Sequence, residues 1–209
     1  MTDIKKANIA VLVSGGGTNL QALINAQQSG VIKDGQIKLV ISNKADAYAL
    51  CRAKTAGIKT AVVLSKNTPR DEFERKLIEL LEKNKTDLII LAGFMQILSG
   101  EFVSHYPERI INVHPSLIPS FCGEGFYGLK VHKAALDYGV KVTGATVHFV
   151  NEVADGGKII IQKAVAVRED DTPESLQKRV MRLAEWKILP AAAQKICKII
   201  TEGEKNGDL

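Results

Sequence analysis

Asn8-Ile9-Ala10-Val11-Leu12-Val13-Ser14-Gly15-Gly16-Gly17-Thr18-Asn19 is a short apolar run that stops at three consecutive glycines. Such a run, bounded by turn residues, reads as a buried strand entering a turn. Thr18 to Ile24 then has helical spacing, with Thr18 or Asn19 placed to cap it. The same alternation repeats downstream. Gln36 to Ser42 reads as a strand, and Asp46 to Ala56 as a helix that stops at Gly57. Thr60 to Leu64 is a third strand, and Pro69 to Lys83 a helix with proline in its first turn. Asp87 to Ala92 is a fourth strand, apolar on both faces, and Arg109 to Val113 a fifth. Strands alternating with helices predict a parallel sheet covered on both sides, so residues 8–114 read as a doubly wound α/β half.

The pattern changes after His114. Ser116 to Gly128 is a loop rich in Gly and Pro, and Leu129 to Tyr138 a helix. Val142 to Val150 and Lys158 to Val167 read as two strands joined around Asp155-Gly156-Gly157, which predicts antiparallel pairing. Thr172-Pro173-Glu174-Ser175 opens a long terminal helix, with Thr172 and Ser175 in N-terminal positions. The expected organisation is one domain over 1–200, with a second half over 115–200 and a polar, frayed tail over 201–209.

Composition narrows the class. Of 209 residues, 45% are hydrophobic and 24% charged, the balance of a folded chain rather than a disordered one. No apolar run approaches the ~20 residues of a membrane span. The opening Met1 to Lys6 leads into a run too short for a secretory signal, so the expected setting is cytoplasmic. Cys51, Cys122 and Cys197 form no CxxC pair, so neither a disulfide framework nor a zinc site is predicted. The net charge of +5 favours anionic partners, phosphorylated metabolites and polyglutamates as well as nucleic acid, but the interleaved signs of Arg70 to Lys76 fit a solvated helix face better than a nucleic-acid footprint. No nucleic-acid or membrane partner is expected.

Two segments carry chemistry. Gly15 to Asn19 lies between a strand and a helix, where backbone N–H groups and the helix dipole suit a phosphate. A tight structural turn fits the same residues, since neither GxGxxG nor a Walker A loop is present. Ser42-Asn43-Lys44 offers no acidic residue at the end of the second strand, which counts against a dinucleotide. Asn112 and His114 end the fifth strand. Alternate strand positions share a face, so both reach one point beyond the carboxyl end of the sheet, where ligands bind in open α/β folds. A lone histidine there also fits a structural role; Asn112 and the following Pro115 turn the reading towards a site. His105, His132 and His148 have less support, and His148 reads as a structural residue within a strand. Asp155 before two glycines is by default a hairpin turn. Beside an imidazole its carboxylate would raise the histidine pKa. Cys122 becomes a nucleophile only with a base beside it.

Four stretches together resemble the phosphoribosylglycinamide formyltransferases of the folate-dependent formyltransferase family. They are Ser14 to Leu20, Ala92 to Leu98, Ile111 to Pro119, and Val147 to Gly157, in order along residues 8–190. The resemblance implies a Rossmann-like formyltransferase fold, a parallel sheet continued by an antiparallel part. It implies formyl transfer from 10-formyltetrahydrofolate, a cosubstrate, to the amine of 5'-phosphoribosylglycinamide. Asn112, His114 and Asp155 are then catalytic. The substrate phosphate falls to Gly17, Thr18 and Asn19, and the ribose hydroxyls to Glu185. The folate falls to Arg70, Met95, Gln96, Ile97, Leu98, Asn112 and the loop Asn151, Glu152, Val153, Ala154 and Asp155. No metal is implied, and a monomer or homodimer is expected.

The chain departs from the family pattern at three places. Gln96 stands where Arg is common, so Arg70 or a nearby lysine is expected to hold the folate glutamate. Phe121 to Gly128 is longer and richer in glycine than the usual connection. Trp186 follows Glu185 where His is common. Relatives with an added RNA-binding or regulatory domain, and the longer sugar N-formyltransferases, fit this length less well.

Overall fold

The computed structural model describes residues 6–206. Met1 to Lys5, and residues 207–209 of the expected tail, lie outside them. The strands are β1 (Ala7–Val13), β2 (Gly35–Ser42), β3 (Lys59–Val62), β4 (Leu88–Leu91), β5 (Ile110–His114), β6 (Val142–Phe149) and β7 (Ile159–Ala166). The helices are α1 (Thr18–Gln28), α2 (Tyr48–Thr55), α3 (Arg70–Lys83), α4 (Gly100–His105), α5 (Leu129–Tyr138), α6 (Pro173–Val180) and α7 (Trp186–Asn206).

All seven strands form one sheet in the order β3-β2-β1-β4-β5-β6-β7. The first five are parallel, while β6 runs against β5 and β7 against β6. The expected change of pattern after His114 is therefore a change of strand direction within a single sheet. Strand order reverses at β1 and β4, so a crevice opens beyond their carboxyl ends.

Each face of the sheet is covered. Leu20, Leu23 and Ile24 of α1, Ala49 and Leu50 of α2, and Leu189 and Ile196 of α7 pack against one face. Phe73, Leu77 and Leu81 of α3 and Phe102 of α4 pack against the other. Phe73, Leu77 and Leu81 recur at helical spacing, and each buried side chain of this size contributes about 1.5–3 kcal/mol.

Three local expectations change. Gly17, not Thr18 or Asn19, is the N-cap of α1, with φ of 72° and no side-chain cap. Asn19 lies inside the helix, where its amide is turned to a distant partner. The short α4 was not expected. Its six residues are too few for a periodic signal, and the Ser99 hydroxyl caps it by accepting from the Phe102 N–H. The long terminal helix is interrupted: α6 begins with a capping box between Thr172 and Ser175, and a five-residue π segment, Met181–Glu185, separates it from α7. One turn beyond lies Pro190, which has no N–H to give to the carbonyl ladder. α7 then runs to Asn206 through the buried Thr201, past the expected start of the tail.

Candidate active site

β5 places Asn112 and His114 on one face, as alternation requires, and the antiparallel register brings β6 beside them. Asn112 pairs with His148 across the ladder and His114 with Thr146. His148 therefore stands next to Asn112: its Nε2 is 3.3 Å from Asn112 Nδ2. The sequence gives no warning of this, because the contact exists only once β6 turns back against β5.

Asp155 completes the group. It sits in the loop after β6 with φ of 54°, followed by two glycines in crowded positions. A Cβ on Gly157 would come within 1.7 Å of the Phe149 carbonyl oxygen, so only glycine lets the chain pass there. Asp155 Oδ2 lies 3.3 Å from His114 Nδ1, and it accepts from the Gly123 N–H at 2.9 Å. Its Oδ1 lies 3.4 Å from both Asn112 Nδ2 and His148 Nε2. The segment read as a hairpin turn thus carries a carboxylate with four neighbours.

The electrostatics divide. Burial lowers the His114 pKa, outweighing Asp155 and the Phe121 carbonyl, which raise it; His148 adds to the lowering. The expected upward shift is therefore reversed, because the imidazole is almost fully buried. For Asp155, burial alone would raise the pKa. The hydrogen bond with His148, the His114 imidazole and the Gly123 N–H outweigh it and hold the carboxyl below its usual range.

A second cluster lies at the β1 turn. Gly15 and Gly16 are exposed, and Thr18 begins α1. Gly17 is held twice over: its φ is positive, and a Cβ there would lie 2.6 Å from Ala49 Cβ. Arg52 Nε donates to the Gly16 carbonyl at 2.8 Å, which fixes the turn. Asn19 Nδ2 donates to Glu185 Oε2 at 2.7 Å, joining α1 to the end of the π segment. Burial raises the Glu185 pKa to about 7, against the lowering by Asn19.

The third cluster follows β4. The Ser14 hydroxyl accepts from the Met95 N–H at 2.8 Å and so ties this segment to the β1 turn. Met95 and Ile97 are exposed, whereas Leu98 is buried. Arg70 Nη2 donates to the Ile97 carbonyl at 2.9 Å, and Arg70 Nε to Glu74 at 3.3 Å. A cavity of about 360 Å³ opens here, lined by residues that include Ser65, Arg70, Phe73, Gln96 and Ile97. Asn151, Glu152, Val153 and Ala154 are exposed on the loop that carries Asp155. The Cys122 thiol donates to the Pro119 carbonyl oxygen at 3.3 Å, and burial and the Asp155 charge both raise its pKa. Among the described residues, no group of three or more His, Cys, Asp or Glu is placed to hold a metal ion. No helix among them is long and apolar enough to cross a membrane.

The formyl transferase family model matches residues 7–193. The human trifunctional purine biosynthetic protein adenosine-3 is 47% identical over 208 residues, 98% of this chain and 20% of that protein. The chain thus spans about a fifth of the length of that relative. The phosphoribosylglycinamide formyltransferase of Escherichia coli K12 is 44% identical over 174 residues, 83% of this chain and 79% of that one. The crystal structure of glycinamide ribonucleotide transformylase 1 from Symbiobacterium toebii superposes with a TM-score of 0.86 at 42% identity, covering 92% of this chain and 88% of that one. The chain belongs to the formyl transferase family, in its phosphoribosylglycinamide formyltransferase branch.

Proposed function

We propose that the chain transfers the formyl group of 10-formyltetrahydrofolate to the amine of 5'-phosphoribosylglycinamide, a step of purine synthesis. The observation that carries this is the cluster of Asn112, His114 and Asp155 within hydrogen-bonding reach at the carboxyl end of β5. In the reaction the amine attacks the formyl carbon and an oxyanion develops. The Asn112 amide donates to it, and His114, when protonated, adds a charge-assisted donor. The new C–N bond forms, the bond to folate N10 breaks, and one proton passes from the amine to N10. His114 with Asp155, through a water, carries that proton. The step as written calls on no metal ion.

In this reading the substrate phosphate lies on Gly17, Thr18 and Asn19, and Glu185 takes the ribose hydroxyls. The folate lies along Met95, Gln96, Ile97, Leu98 and the loop Asn151 to Asp155. Arg70, fixed by the Ile97 carbonyl at the rim of the cavity, takes the glutamate carboxylate that Gln96 cannot pair with. Residues 8–114 supply the phosphate turn together with Asn112 and His114, and 115–200 supply Asp155 and the loop that carries it. The substrates are small molecules, the setting is cytoplasmic, and the protein works as a monomer or homodimer without nucleic acid or membrane.

Purified protein given glycinamide ribonucleotide and 10-formyltetrahydrofolate is expected to yield the formylated product. Correctly folded protein that fails to turn over overturns the assignment. His114→Ala and Asp155→Asn should each lower turnover by about two to three orders of magnitude, the scale of losing one group that acts on the transition state, with little effect on ribonucleotide affinity.

A further inference from the structure

The loop between β5 and α5 touches both members of the His114–Asp155 pair through its backbone. His114 Nε2 lies 2.8 Å from the Phe121 carbonyl oxygen. A carbonyl only accepts, so Nε2 carries a proton, while Nδ1 faces Asp155. Two residues on, the Gly123 N–H donates to Asp155 Oδ2. Asn112 and His148 each lie 3.4 Å from the other oxygen of the same carboxylate, Oδ1. His114 therefore presents Nδ1 to the group that does the chemistry and is steered from behind by Nε2.

This steering needs a fixed loop, and Phe121 is in an unusual place to provide it. Its backbone is left-handed, with φ of 50°, and Gly123 and Gly125 follow at positive φ. A non-glycine residue is uncommon there, and for a bulky side chain the surroundings must hold it. Two aromatic rings do so. Phe121 meets Phe126 at 6.4 Å between centroids with rings at 61°, and Tyr138 of α5 at 6.0 Å with rings at 73°. Both are edge-to-face arrangements, the favoured geometry for aromatic pairs. Tyr138 is 81% exposed, so its ring serves little purpose in the core.

We propose that Phe121, clasped by Phe126 and Tyr138, is a positioning residue whose main-chain carbonyl holds a proton on His114 Nε2 and so aims Nδ1 at Asp155. The inference rests on the formyl-transfer reading for its catalytic consequence, but not for its test in the free protein. The clasp holds the loop; the loop holds one hydrogen bond to each partner; the pair is thereby set before substrate arrives.

The test compares wild type with Tyr138→Ala, Phe126→Ala and Tyr138→Phe. Imidazole ¹⁵N–¹H correlation spectra of the free proteins, with the His114 signal identified by its absence in His114→Gln, give the protonated nitrogen directly. Wild type and Tyr138→Phe are expected to show a protected Nε2–H at His114. Tyr138→Ala and Phe126→Ala should lose that protection, and kcat should fall about three- to tenfold, the weight of one aromatic pair, with KM for the ribonucleotide little changed. A wild-type His114 protonated on Nδ1 alone overturns the proposal. So does an unchanged His114 signal in both alanine variants, even with a fall in kcat. Absence of turnover by wild type, with the Nε2–H signal present, overturns the formyl-transfer reading and leaves the positioning intact.

Discussion

His132 lies on α5 fully buried, and neither of its ring nitrogens has a hydrogen-bond partner. Burial, with a smaller contribution from nearby His114, pushes its pKa from 6.5 to about 4. Between those values the unfolded chain binds a proton that the folded chain refuses. Stability is therefore intact above about pH 6.5, falls as the pH drops through this window, and levels off below about pH 4. The gap between the two pKa values amounts to a loss of about 2 kcal/mol at pH 5 and about 3 kcal/mol at pH 4. His132→Leu has no proton to bind and removes two unpaired buried nitrogens, so at pH 7.5 it should be as stable as wild type or more so. At pH 5 its advantage should be about 2 kcal/mol larger, or about 4–8 °C in Tm for a chain of this size. Urea unfolding of both proteins side by side from pH 7.5 to pH 5 measures this, since every other titrating group is common to the two. A stability difference that stays constant across that range refutes the reasoning.

Three further outcomes are expected. Gly17→Ala forces a Cβ into Ala49 and a left-handed alanine, so KM for the ribonucleotide should rise at least about tenfold while kcat falls less, in steady-state assays. Glu185→Gln keeps an acceptor for Asn19 but removes a buried carboxyl of pKa about 7. Because the folded form holds that proton more tightly than the unfolded chain, wild type loses stability as pH rises from about 4.5 to about 7; urea titrations should show the variant without that loss. Cys122→Ser should leave turnover within about twofold, since burial and the Asp155 charge raise the thiol pKa and disfavour the thiolate; a loss like that of His114→Ala would restore a nucleophilic role.

Some of the site is legible in the sequence because it is local. Asn112 and His114 are two apart on a strand, and alternation alone puts them together. Gly15 to Gly17 announce a turn for the same reason. His148 fails this test: it joins the cluster only through the β5–β6 register, 36 residues away, and within Thr146 to Phe149 it looks like any strand residue. Asp155 was visible as a turn, and its role rests on a backbone donor from Gly123 in a loop with no periodicity. The α1 cap is not legible, because Asn19 is drawn to Glu185, 166 residues on, a contact that local capping preference cannot foresee. The direction of the His114 shift also needed the fold, since a neighbouring carboxylate is named by sequence but the depth of burial is not.

The π segment Met181–Glu185 acts as a phase shifter. It carries an extra residue relative to an α-helix, so α6 and α7 can each keep an apolar face on the sheet while the residue at the junction turns inward. A single deletion within it would restore a continuous helix and rotate everything on one side by about 100°. Either Glu185 would leave Asn19, or Leu189 and Ile196 would leave the sheet. Glu185 is thus held by a helical irregularity that no point substitution can mimic, and the length of this segment is as constrained as its residues.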